Sequence, residues 1–159
     1  MTTYTVEVEG GKEKWYHNGL LHREDGPAIV SNDGAQQWWV NGLLHRIDGP
    51  AAVWPTGTEW WYYGGKWHRV DGPAVVRANG DQEWWFNGKC HREDGPAIEY
   101  KDGTTEWYQN GKLHRTDGPA TSCKGKLGWW YRGKFLGYHG GKIFRIVLPV
   151  VEFFRNKVV

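Results

Sequence analysis

Long apolar runs are missing from this chain. No stretch approaches the ~20 apolar residues of a membrane-crossing helix. No charged-then-apolar leader opens it either, because residues 1–11 are polar and alternating. Membrane attachment is therefore not expected, and the cytoplasm is the expected compartment. Cysteine is scarce: Cys90 and Cys123 lack the spacing of a disulfide framework or a Cys-x-x-Cys pair. Leu, Ile, Val and Phe are also few, together just under 20% of 159 residues. So low a fraction borders on the disordered range, but disorder also needs high net charge and few aromatics. Here the net charge is only +2, and 12 Trp with 8 Tyr supply apolar area that aliphatics usually provide. The chain should fold.

Other absences exclude functions. No Lys/Arg run marks a nucleic-acid tail, since acidic and basic residues are interspersed. No Gly-rich phosphate cradle follows a strand, and there is no serine elbow, so nothing supports an enzyme. Helical periodicity is absent throughout residues 1–133.

What is present is a repeat. His-Arg occurs at His22, His45, His68, His91 and His114, and successive histidines lie 23 residues apart. Each pair is followed by one variable residue and then Asp-Gly-Pro-Ala, as in Asp48 to Ala51. Seven residues before each histidine stands a tryptophan: Trp15, Trp38, Trp61, Trp84 and Trp107. A worn sixth copy begins at Trp129, one residue early, with Leu136 in the histidine's place. A fixed period of this length is the mark of a solenoid or array.

Each unit reads as hairpins. Asn-Gly at Asn18, Asn41, Asn87 and Asn110, replaced by Gly64-Gly65 in the third copy, fits a two-residue turn with both residues at positive φ. Asp102-Gly103 reads as a second two-residue turn, and Gly-Pro-Ala as the corner into the next copy. The expectation is an all-β fold, an elongated single-sheet solenoid of tandem 23-residue β-hairpin repeats with terminal caps. Residues 1–14 form the N-terminal cap strand, 15–128 the five repeats, 129–141 the degenerate sixth, and 142–159 an apolar C-terminal cap or association segment. Ile143, Phe144, Phe153 and Phe154 are the candidate association residues, and a homodimer through them is one reading.

A turn at Asn41-Gly42 places Val40 opposite Leu43, Trp39 opposite Leu44 and Trp38 opposite His45. Alternation then puts Trp39 and Leu44 on one face, with Tyr16/Leu21, Tyr62/Trp67, Trp85/Cys90 and Tyr108/Leu113 as equivalents. Cys90 thus takes the slot of a small buried hydrophobe. Both faces are aromatic, and the Trp39/Leu44 face is the expected packed side. The same ladder of Tyr16, Trp39, Tyr62, Trp85, Tyr108 and Trp130 is also the candidate surface for a partner or ligand. Exposed Trp and Tyr rings form cation–π cages, stack bases or make interface hot spots.

Repetition argues against catalysis by His, Arg and Asp, because an active site needs one converging constellation. Consecutive histidines separated by two strand spacings, about 10 Å, cannot share one metal ion. Neither cofactor nor metal is expected. Arg and Asp read as turn and inter-repeat hydrogen bonding, with Asp capping its turn. The histidine reads as a hydrogen-bond partner of a neighbour's backbone.

The segments WYQNGKLHRTDGPA and WWVNGLLHRIDGPA resemble the MORN family of 23-residue hairpin repeats and its variants, over about residues 15–133. The chain has His-Arg-x-Asp-Gly-Pro-Ala where that family has His-Gly-x-Gly. This version resembles repeats in uncharacterised bacterial, phage and large-DNA-virus proteins. A fainter similarity, in GTEWWYYGGKW and GWWYRGK, is to choline-binding cell-wall repeats. The resemblance implies a hairpin array used for scaffolding or protein binding, without enzymatic activity. A protein partner held along the aromatic face is the expected function, and inhibition of a host defence protein is a natural job if the gene is viral. The alternatives are a small ligand (a choline-like cation, nucleotide or glycan) between repeats, or a MORN-type scaffold at a membrane. Nucleic-acid binding by stacking is the remaining, disfavoured reading.

Overall fold

The computed structural model of the chain describes residues 2–138. The segment with Ile143, Phe144, Phe153 and Phe154 lies outside the described residues. All regular elements among the described residues are β-strands. Among the described residues no helix is long and apolar enough to cross a membrane. The chain divides into two compact units, Met1–Gly88 and Lys89–Val159.

In the first unit the strands follow one another across an antiparallel sheet. The order is Thr5–Glu9, Lys12–His17, Ile29–Ser31, Gln36–Gln37, Ala52–Val53, Glu59–Trp60, Val75–Val76 and Gln82–Glu83. The second unit runs Ile98–Glu99, Thr105–Glu106, Thr121–Cys123, Lys126–Tyr131 and Lys134–Tyr138 in the same manner. Sequence-adjacent strands therefore pair, the simplest topology that a run of hairpins can have.

Single-sheet continuity needs correction at the hairpin tips. Beyond each interior repeat tryptophan the chain leaves the main sheet and forms a separate two-stranded ribbon. Trp39–Val40 pairs with Leu43–Leu44, Tyr62–Tyr63 with Lys66–Trp67, and Tyr108–Gln109 with Lys112–Leu113. Within the ribbon the expected register holds: Trp39 is opposite Leu44, Val40 is opposite Leu43, and the His45 N–H donates to the Trp38 carbonyl at 3.0 Å.

Two turn types alternate. The ribbon turns have positive φ at both central residues, 50° and 76° at Asn41-Gly42 and 55° and 74° at Gly64-Gly65. That requirement favours Asn and Gly, which fill the first position in the first five hairpin turns, whereas Arg132 fills it at φ 49° in the sixth. The main-sheet turns differ from expectation. Around Asp102-Gly103 the Tyr100 N–H donates to Thr104 O at 2.9 Å and the Gly103 N–H to Tyr100 O at 3.0 Å. This is a three-residue loop, Lys101-Asp102-Gly103, in which only Gly103 has positive φ (84°). Asp102 caps it instead, its carboxylate accepting the Thr104 N–H at 2.9 Å. The same bonds recur around Gly34, Gly57 and Gly80.

Lys124-Gly125, like Gly10-Gly11 in the first hairpin, makes a two-residue turn in that position, with φ of 46° and 80° and Cys123 opposite Lys126. One loop residue is lost there, and that is why the sixth copy's Trp129 arrives a residue early.

Neither aromatic face is the buried core. The fully buried side chains are small: Ala28, Ala51, Ala74, Ala97 and Ala120 are all 0% exposed, and Val75 is the largest of the set. The repeat rings on both faces are half-buried. The expected packing of the Trp39/Leu44 side is corrected accordingly, because a thin sheet leaves large rings partly wet. Cys90 is buried, with Sγ 3.9 Å from the Ala97 carbonyl.

Candidate functional site

The His-Arg-x-Asp-Gly-Pro-Ala segment builds an arginine clamp. Arg46 lays its guanidinium 4.0 Å from the centroid of Trp38. Its Nε donates to Asp48 Oδ1 at 3.0 Å, and Nη1 donates to the Pro50 carbonyl at 3.4 Å. Gly49 covers the other side, where an added Cβ would stand 2.9 Å from the Arg46 Cζ. Glycine is required here for close approach, not for its φ. Arg23, Arg69 and Arg115 stack on Trp15, Trp61 and Trp107 at 3.8, 3.8 and 3.9 Å. Each also meets its own Asp at 2.8–2.9 Å.

That hydrogen bond from arginine, the first cause in each case, holds the Asp25, Asp48, Asp71 and Asp94 carboxyls below the ordinary carboxylate range. The Arg and Asp side chains of this motif are engaged at the corner that their own repeat supplies, and Arg92 also reaches Glu99 at 2.8 Å. Both expected roles are seen: the Arg and Asp side chains serve the turn, and the arginine backbone N–H makes the inter-repeat bond, as from Arg46 to Tyr62 O at 3.1 Å.

The histidine reaches between repeats. Each Nδ1 accepts a backbone N–H from the first turn residue of the following ribbon: Asn41 to His22 at 3.1 Å, Gly64 to His45 at 3.0 Å, and Asn87 to His68 at 3.2 Å. In the second unit Asn110 donates to His91 at 3.1 Å and Arg132 to His114 at 3.1 Å. Two further backbone bonds accompany each, such as Arg46 N–H to Tyr62 O at 3.1 Å and Gly65 N–H to Leu44 O at 2.9 Å.

The six ladder residues occupy equivalent places, all half-buried. In three of them the polar atom is tethered to the residue two positions earlier. Trp39 Nε1 donates to Gln37 at 3.0 Å, Trp85 Nε1 to Glu83 at 2.9 Å, and the Tyr108 hydroxyl to Glu106 at 3.0 Å. Burial first, and then the Glu106 charge, push the Tyr108 phenol well above its usual value. Burial raises Tyr62, and burial together with Glu7 raises Tyr16.

Ring contact joins only part of the ladder. Tyr62 meets Trp67 at 5.7 Å, and Trp67 meets Trp85 at 4.8 Å, so a hairpin partner bridges two successive rungs. Trp130 packs on Phe135 at 4.9 Å. Tyr16 and Trp39 face Leu21 and Leu44 across their hairpins.

A second aromatic row was missed by the sequence reasoning. Tyr63 and Phe86, at the position just before the ribbon turn, are 54% and 45% exposed. They interleave with the histidines: His45–Tyr63 at 4.6 Å, Tyr63–His68 at 5.9 Å and His68–Phe86 at 4.6 Å. Tyr131 packs against His114 at 4.9 Å in the second unit. Strand alternation carried the signal, since the neighbour of each ladder residue must share the histidine's face. The chain matches no family model, and no curated protein matches it as a relative.

Proposed function

We propose that this chain is a non-enzymatic, MORN-like solenoid of hairpin repeats that binds a protein partner along its aromatic hairpin surface. The observation carrying this reading is the run of exposed side chains on consecutive ribbons, Leu43 (50%), Tyr63 (54%) and Phe86 (45%). Rigid aromatic side chains give contact area at low entropic cost, which is what interface anchors need. The adjoining ladder of Trp39, Tyr62 and Trp85 adds half-buried ring surface. The absence of enzymatic activity is supported by the motif itself, whose Arg, Asp and His groups are engaged in holding the fold. A cytoplasmic location and inhibition of a host protein belong with this proposal.

The test is retention of a partner from native host lysate by the intact chain and by a Tyr63→Ala/Phe86→Ala variant of unchanged circular dichroism. One protein held near equimolar ratio by the intact chain and lost by the variant is the expected result. Equal retention by both, or no protein held at all, contradicts it. Several small-ligand molecules per chain in native mass spectrometry would replace it with the ligand reading.

A further inference from the structure

Three hydrogen bonds fasten each ribbon to the one before it, and only one has a titratable acceptor. At His45, His68, His91 and His114 the partner of Nδ1 is a backbone N–H, so Nδ1 presents its lone pair and the ring proton sits on Nε2; at His22 the Asn41 side-chain oxygen stands beside the same Nδ1. An imidazolium carries N–H on both nitrogens, and two donors then face each other. We propose that the histidines form an acid-sensitive latch: protonation at Nδ1 unfastens each ribbon hairpin from its predecessor while the main sheet holds.

The copies differ in ways that grade the effect. His45 faces Gly64, which has no side chain to offer an alternative acceptor, and its ring neighbour is Tyr63. His68 lies between Tyr63 and Phe86. His22 is the exception: the Asn41 side-chain Oδ1 lies 2.9 Å from its Nδ1 and accepts the new proton. Glu24 Oε1 also stands 3.5 Å from the His22 Nε2, with the Tyr4 and His17 rings beside it. His91 has Glu93 Oε1 at 3.8 Å from Nε2 and nothing that would replace the Asn110 bond at Nδ1. His114 is packed against Tyr131 and has the Arg132 charge near it. Burial, and then Arg132, hold the His114 imidazole below its ordinary value. A depressed folded pKa means that its contribution is present above about pH 6.5 and is lost as pH falls through the folded value.

Residue-resolved amide hydrogen exchange at pH 7.5 and 5.0, corrected for intrinsic rates, tests the latch in the intact chain. The Gly64 amide should lose at least about tenfold protection at the lower pH, the size of one forfeited hydrogen bond. The Trp61 amide, bonded to Ala74 O at 2.7 Å in the main sheet, should hold, and Asn41 should change least of the five donors. A His45→Leu variant should leave Gly64 unprotected at both pH values and the other sites pH-dependent. Imidazole ¹⁵N shifts of the intact chain supply a reading that does not depend on the variant folding. Unchanged Gly64 protection between the two pH values, or a protonated His45 Nδ1 at pH 7.5, overturns the proposal.

Discussion

The interior repeats and the degenerate sixth copy build their hairpins differently. In the interior copies the strand breaks at the tryptophan, so Gln36–Gln37 belongs to the main sheet and Trp39–Val40 to a ribbon. In the sixth copy Lys126–Tyr131 runs unbroken through Trp129 and pairs with Lys134–Tyr138, with only a register shift between Trp129 and Trp130. The sixth copy has Leu136, Gly137 and Tyr138 where the others have His-Arg and the variable residue. Without a clamp the returning strand simply continues along its partner. The difference teaches that the clamp, not the hairpin turn, diverts the chain from the ribbon back into the next main-sheet strand.

Substitutions can widen or erase this difference. The largest effect is expected at the clamp arginine. Arg46→Ala removes the ring stack and the Pro50 carbonyl bond and should cost about 2 kcal/mol in urea unfolding. The sixth-copy arginine Arg132, exposed and 5.3 Å from the Tyr131 centroid, should give under ~0.5 kcal/mol on the same change.

Next comes His45→Leu, which installs the sixth-copy residue. It should cost about 1 kcal/mol, the worth of the Gly64 N–H bond, with the main-sheet strands unaffected. A smaller effect is expected from pH. Unfolding free energy should fall as the pH drops below about 6.5 and His114 is forced to charge, because its folded imidazole titrates lower than the unfolded one. A His114→Leu variant measured in parallel should show a shallower slope. Smallest is Asp48→Asn, on an exposed carboxylate. It should lower stability slightly at neutral pH and remove part of the loss seen as pH falls below the ordinary carboxylate range, because the folded Asp48 carboxyl titrates lower than the unfolded one.

Much of this architecture was legible from residue order alone. The 23-residue period, the ribbon register and the Asn-Gly turns follow from alternation and from the demand for positive φ, both local properties. The main-sheet loop was misjudged because Asp-Gly also serves a three-residue loop, in which Asp102 caps and only Gly103 turns. Burial was less legible: a period identifies equivalent residues but not how deeply a thin sheet covers them, and Trp38 and Trp39 both turn out half-buried. The turn role of Arg46 was readable, but its stacking between Trp38 and Gly49 was not. That contact joins the start of the ribbon to the corner after it, and no sequence pattern states how closely two such points approach. The Tyr63/Phe86 row was readable in principle, but attention to the repeated tryptophans drew the reasoning to the neighbouring ladder.

The most direct test of the clamp is a double-mutant cycle between Gly49 and Arg46, read as unfolding free energies in urea. Gly49→Ala alone should destabilise by about 1–2 kcal/mol, since its Cβ pushes the guanidinium off Trp38. In an Arg46→Ala background the same glycine change should cost little, because nothing remains to collide with it. Equal costs in both backgrounds would mean that Gly49 serves the backbone instead, and would contradict the clamp.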